Sequence, residues 1–400
     1  MKHYDLVIVG GGMAGLTLLA AIEPAIRLGL SVTLIDPAPK PQSHPPQSPS
    51  FDDRATALSG QALETFHTLG MAGIEEHLSN ITDIEVSDRG HVGYHQMSAT
   101  SQQRNRYGAV IANRAMGALL WQRCQNMTVD FRFEQQARAI QPLSNGHRLT
   151  LNQGEIIETG LLILCDGGRS TLIEQLGFQR LTHSFHAKAR VATVRTEQPH
   201  LGRAFERFTG QGPVAMLPFG AFSALVWTIP EQLAAHYPET KTDAVTWLNQ
   251  HFGQRLGRID EISDWQEYPL EEKRLNSLAC HHCLILGNAA ATLHPVAGQG
   301  FNLAIRGIVR AAKQINHSYT SGQNLPDFAT LNQLSQTILN DQENTVFASR
   351  KLIDLFNSSN PLIQLGRGIG LNSLDRHPSF SQLFALAGMG YAAGAPALNG

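Results

Sequence analysis

DLVIVGGGMAGL, residues 5–16, decides the fold. The apolar run from Leu6 to Val9 ends on Gly10, and Gly12 and Gly15 complete a G-x-G-x-x-G spacing. A helical pattern through Leu16, Leu19, Ala20 and Ile22 follows. A short unbroken apolar run bounded by glycine reads as a buried strand, and the 3.6-residue repeat after it as a helix. A second run, LSVTLID at 30–36, ends on Asp36, 21 positions beyond Gly15. Strand, glycine turn, helix and second strand make a βαβ unit. There the first glycine permits the tight turn, the second lets backbone approach a pyrophosphate, and the third lets the helix close on the strand. Met13 and Ala14 then open a helix whose N–H groups and positive end favour phosphate. Asp36 is placed to accept hydrogen bonds from a ribose. The unit is expected to bind a dinucleotide, and NAD and FAD use the same device.

A second glycine-rich turn, GNAAATLHPVAGQGFN at 287–302, lies between the strand-like LILG (284–287) and a helical stretch. An NAD dehydrogenase has little use for it. FAD does, because its ribityl chain and isoalloxazine ring extend far beyond the pyrophosphate. Asn288 is expected at the ribityl and phosphate region, and Pro295 fixes the turn beside the ring. Gly298 and Gly300 let backbone N–H groups approach the flavin pyrimidine edge, where the helix dipole meets the negative charge of reduced flavin. The candidate residues at the reacting ring are Pro295, Gly298 and Gln299, with Gly300, Phe301 and Asn302 on the cofactor. A glycine loop feeding a helix, with no ligand, is the alternative.

The rest of the composition excludes more than it assigns. With 31 basic and 33 acidic residues the net charge is -2, which offers nucleic acid no basic face. Charged residues make 16% of the chain against a typical figure of about 25%, which points to a large apolar core or a surface that meets something greasy. MKHYD leads straight into a strand, with no signal-peptide pattern, so a cytoplasmic protein is expected. Four scattered cysteines, with CHHC at 280–283 leading into a buried strand, argue against a disulfide framework, and no metal is assigned.

Along the chain, PAPKPQSHPPQSPS (37–50) is an exposed loop. FDDRATALSGQALETFHTLG carries Ala57, Leu58, Leu63, Phe66 and Leu69 at helix-like spacing, and ITDIEVSDRGHVGYHQM (81–97) alternates like an antiparallel hairpin. NRAMGALLWQRC reads as a helix capped by Asn113. The expected architecture is α/β: a Rossmann-like FAD-binding domain with a parallel sheet, an inserted strand-rich substrate domain and a helical C-terminal region. Its boundaries are 1–80, 106–182 and 277–345 for the FAD-binding domain, 81–105 and 183–276 for the substrate domain, and 346–400 for the C-terminal region.

GGGMAGL, FDDRATALS, CDGGRS and GNAAATLHPVAGQGFNL, in that order, resemble the FAD-dependent aromatic hydroxylases over nearly the whole chain. SDRGHVGY, GRAFERFTGQGPVAMLP and LIDLFNSSNPLIQLGRGIGL resemble the branch acting in ubiquinone biosynthesis. The resemblance implies FAD contacts for Arg54 and Arg114, a place near the adenine for Ala137, and a cofactor role for Asp166. Where the family has Gly-Asp at the late turn, this chain has Gly287-Asn288, which removes a charge near the phosphate; the ubiquinone branch tolerates it. The implied chemistry is reduction of FAD by NAD(P)H, formation of a C4a-hydroperoxide with O2, and hydroxylation of a phenol of the 2-polyprenyl-6-methoxyphenol type. Phe205, Met216, Leu217 and Pro218 are the candidate substrate wall, with plain core packing as the alternative. Another ring position, a small soluble phenol, and a non-catalytic lipid- or protein-binding role for the dinucleotide fold remain open. The partners so implied are O2, a prenylated phenol, other ubiquinone-synthesis proteins and a second copy of the chain. The weakly charged LFALAGMG (383–390) is either a contact with the inner face of the cytoplasmic membrane or a helix on the protein's own core.

Overall fold

The computed structural model describes residues 1–41, 54–90, 94–292, 299–323 and 325–357. In chain order, β1 (Lys2–Val9) turns into α1 (Met13–Ala21) and α2 (Glu23–Arg27), and β2 (Val32–Asp36) follows. Next come β3 (Ala55–Ser59), α3 (Gly60–Thr68), β4 (Ser79–Ile81), β5 (Asp83–Asp88), β6 (Tyr94–Ser98), β7 (Gly108–Ala112) and α4 (Asn113–Cys124). β8 (Asp130–Phe133), β9 (Ala137–Leu143), β10 (Gly146–Leu151) and β11 (Ile156–Leu164) precede the short α5 (Leu172–Gln175). β12 (Arg180–Thr196), β13 (Arg203–Phe208), β14 (Val214–Phe219) and β15 (Phe222–Pro230) lead to α6 (Lys241–Phe252), β16 (Ile259–Ile262) and β17 (Gln266–Leu275). Last are β18 (Ala279–Cys280), β19 (Cys283–Ile285), β20 (Ala291–Thr292), α7 (Gln299–Thr320) and α8 (Phe328–Asn357).

The first sheet runs β18-β19-β11-β1-β2-β8, with β1, β2, β8, β11 and β19 parallel. Parallel strands are covered on both faces, which is why β1 and β19 read as unbroken apolar runs. Leu6, Val7 and Ile8 are fully buried. α1 is apolar all round because it is enclosed by the sheet, α4 and α7. The second sheet runs β20-β17-β12-β15-β14-β13-β5-β6, with β16 on β12, and is antiparallel except for β13 beside β5. One face packs under α6 around Trp227, Trp247 and Phe252. Near β13 and β14 the other face meets the small sheet β3-β7-β4 through Ala204, Leu217 and Phe219 against Ala57 and Val110.

Two local readings are corrected. Ala57 and Leu58 lie on β3, where Leu58 pairs with Ala109 of β7; the helix starts only at Gly60, capped by Ser59, whose hydroxyl accepts from the Ala62 N–H at 3.2 Å. Pairing with β7 overrides the helical spacing there. Asn113 is not a cap: Ala112 holds that place, and the Asn113 side-chain oxygen accepts from the Thr56 hydroxyl at 2.5 Å. β20, inside the stretch assigned to the FAD-binding domain, pairs with Lys273 and Arg274 of β17 in the second sheet.

α8 fastens the assembly. Its Asp341 receives both arms of Arg306 from α7 at 2.9 and 3.0 Å, and Arg310 at 2.6 Å. Burial pushes this carboxyl up, but the two guanidinium groups outweigh it and hold its pKa below the ordinary value. Further on, Arg350 pairs at 3.0 Å with buried Glu272 of β17. Because the Asp341 pKa is depressed in the fold, its stabilisation is present above the ordinary aspartate range and is lost as pH falls toward the folded value. Asp341→Asn should cost about 3–5 kcal/mol in urea unfolding at neutral pH, the penalty for leaving a nearly buried pair half-made, and should remove that part of the acid-side loss.

Candidate functional site

At the first turn, Gly10 has φ +109°, and a Cβ there would lie 2.6 Å from the Cys165 carbonyl at the end of β11. A Cβ on Gly15 would lie 1.9 Å from the Gly10 oxygen. Gly12 is extended, and neither a side-chain cap nor an acidic residue occupies the first turn of α1 that Met13 and Ala14 begin. Its opening N–H groups are thus left for an anion. Asp36 ends β2 beside them, its carboxylate accepting from the Gly11 N–H at 2.5 Å and the Ala38 N–H at 2.8 Å.

The late turn arrives at the same end of the sheet, because β19 runs parallel to β11 and β11 to β1. Gly287, with φ +66°, packs so closely on α1 that a Cβ would sit 2.8 Å from that of Ala14. Asn288 beside it is exposed. Pro295 and Gly298 lie outside the described residues, and Gln299 is described only by its backbone, at the start of α7. Gly300 follows in that first turn. Phe301 stacks on Phe66 of α3 at 6.4 Å. Asn302 is buried and fastens α7 to β3: its oxygen accepts from the Ser59 N–H at 2.9 Å, and its amide donates to the Ala57 carbonyl at 2.9 Å.

Arg54, leading into β3, holds its guanidinium 5.2 Å from the ring centre of Tyr268 on β17, so a cation on one body rests on an aromatic face of the other. The sequence reading did not single out Tyr268; only its place in β17 reveals it. Arg114 is half-buried at the second position of α4, and Ala137 is buried at the start of β9. Asp166 shapes its own turn, accepting from the Gly168 and Ser170 N–H groups at 2.9 Å each.

The four candidate wall residues divide between the two faces of the second sheet. Phe205 and Met216 pair across β13 and β14 and both face α6; Phe205 meets Phe252 edge-on at 5.6 Å. Buried Pro218, two residues past Met216, shares that side by strand alternation. Leu217 faces the small sheet instead. Alternation along a strand sends neighbours to opposite faces, so a consecutive run cannot form one wall.

These groups fit FAD: an uncapped helix start, glycines that let the turn close on its own backbone, a carboxylate at the second strand's tip, and Gly287 of the late turn against α1. Gly15→Ala should purify without yellow colour, read as flavin absorbance per protein. Phe205→Ala should lower unfolding stability by about 3–5 kcal/mol while leaving the KM for a phenol unchanged.

The family model described as "FAD binding domain" matches residues 3–327. Ubiquinone hydroxylase UbiL of Rhodospirillum rubrum is 28% identical over 398 residues, covering 97% of this chain and 90% of that protein. The 3-demethoxyubiquinol 3-hydroxylase of Escherichia coli is 24% identical over 386 residues, covering 93% and 95%. Among solved structures, p-nitrophenol 4-monooxygenase PnpA from Pseudomonas putida superposes with a TM-score of 0.77 at 13% identity, covering 98% of this chain and 99% of that one. The chain belongs to this FAD-binding family, among the FAD-dependent aromatic monooxygenases.

Proposed function

We propose that this protein hydroxylates the aromatic ring of a polyprenylated phenol in ubiquinone biosynthesis, a substrate of the 2-polyprenyl-6-methoxyphenol type, with NAD(P)H and O2 as co-substrates. The observation that carries the reading is the approach of Gly287 to Ala14, which gathers an early and a late glycine turn for one long ligand. The named activities of the UbiL and Escherichia coli relatives support the substrate class.

Bound FAD, reduced by NAD(P)H, supplies the activation of O2. The chain's own residues hold and enclose it. The α1 turn receives the pyrophosphate, Asp36 a ribose, and Asn288 the ribityl region. Arg54 and Arg114 would contact the cofactor and Ala137 its adenine, and Pro295, Gly298, Gln299 and Gly300 would meet the ring. Leu217 and the residues sharing its face line the phenol, keep it oriented and exclude water, so that the oxygen is not lost as hydrogen peroxide. Among the described residues no helix is long and apolar enough to cross a membrane. A prenyl tail would reach this face from the inner surface of the cytoplasmic membrane, with the C-terminal region 346–400, of which 358–400 lie outside the described residues, helping to meet it; other ubiquinone-synthesis proteins and a second copy of the chain are the proposed partners.

The purified protein should be yellow, release FAD, and convert a prenylated phenol to a product heavier by one oxygen atom. Expression in strains lacking one quinone-ring hydroxylase at a time should restore a single ring position. A product formed only from small unprenylated phenols would overturn the ubiquinone assignment.

A further inference from the structure

We propose that Glu206 receives the phenolic proton of the substrate, from its place on the side of the second sheet that faces the cofactor body. The inference rests on the hydroxylase reading above. β13 alternates: Phe205 and Met216 pack under α6, whereas Ala204 packs toward the small sheet and Phe208 packs with Val86 and Ile84. Glu206 stands between Ala204 and Phe208 and shares their face. Its cross-strand partners are Ala215 on β14 and Val86 on β5, so a carboxyl group sits in an apolar row. The same face carries Leu217 and meets β3, the strand that Arg54 leads into.

Glu206 makes no hydrogen bond or ion pair among the described residues. Arg207, next along the strand, turns to the opposite face, where it donates to the Ser87 hydroxyl and the His251 carbonyl. The titratable groups on the Glu206 side are Asp88 on β5 and His95 on β6, with Tyr107 facing Ala204 from beside β7; β14 and β15 present Ala215 and Val226. Burial without a charged partner raises the Glu206 carboxyl to about 7. A structural carboxylate is normally paired; one kept partly accessible and unpaired in an apolar row has its acceptor oxygens left for a ligand hydroxyl.

In the proposed step the phenol O–H bond breaks, its proton passes to a Glu206 carboxylate oxygen, and the electron pair stays on the phenolate oxygen. The ring becomes more electron-rich without any oxidant or reductant being consumed. The proton returns to that oxygen as the hydroxylated ring regains aromaticity by losing its ring hydrogen to solvent.

The test uses the FAD-loaded full chain, wild type, Glu206→Gln and Glu206→Asp, with a short-tailed 2-prenylphenol. For the wild type, kcat/KM for hydroxylated product should rise with pH through about 7, as the carboxylate forms. Glu206→Gln should keep its flavin content and spectrum, lose about 100-fold or more in product formation, and lose that limb; Glu206→Asp should restore the limb in part. Infrared difference spectra on phenol binding should show a carboxylic acid gained in the wild type and missing in Glu206→Gln. If Glu206→Gln makes product at the wild-type rate with the same pH limb, the proton-acceptor role is overturned and the hydroxylase reading stands. If the wild type hydroxylates no phenol, that reading fails. The infrared arm then decides Glu206 independently, and no carboxylic acid gained on phenol binding overturns its role.

Discussion

Backbone approaching backbone at the carboxyl end of a parallel sheet is the constraint on which this molecule rests. Gly10 lies against Cys165 and Asp166 just past β11, Gly15 against Gly10, and Gly287 against Ala14, each at a separation that no side chain could share. Those three closures fix the start of α1 relative to β1, β11 and β19. They leave its opening N–H groups without a side-chain cap, so the stretch that cannot satisfy itself is open to an anionic ligand. The burial of β1 and α1 supplies the rigidity that such a cradle needs.

The second sheet solves a different problem with the same economy of means. Its α6 face is a tightly packed aromatic cluster, with Trp227 and Trp247 rings 4.4 Å apart, and needs nothing from a ligand. The opposite face bears Ala204, Leu217 and Phe219 near the small sheet, together with the Glu206 carboxyl group, unpaired among the described residues. The division between the face under α6 and the face toward the small sheet therefore runs through each strand, residue by residue. Arg54 resting on Tyr268 joins this sheet to the lead into β3, and Arg350 on Glu272 joins it to α8.

Much of this was legible before any coordinates. The βαβ unit announces itself because buried parallel strands are continuous apolar runs and because glycine spacing records where backbones touch. The late strand LILG and its turn could be read for the same reason. Less legible was anything set by partners distant in sequence. Asn113 looks like a cap until β3 is seen to claim its side chain, and Ala57 and Leu58 fit a helix until β7 is seen to pair with them. The division of the candidate wall was in the sequence too: RAFERF has period two, which separates Phe205 from Ala204 and Glu206, and VAMLP alternates in the same way. Tyr268 carries no local mark, since its value lies in the cation it meets from another body.

One modest element has mechanical meaning. β20 hydrogen-bonds into the second sheet, while α7, resuming at residue 299, is fastened by Asn302 to β3 and by Asp341 to α8. β20 and the head of α7 are thus fixed to different sheets: a displacement of β17 would carry β20 with it, while α7 would stay with β3 and α8.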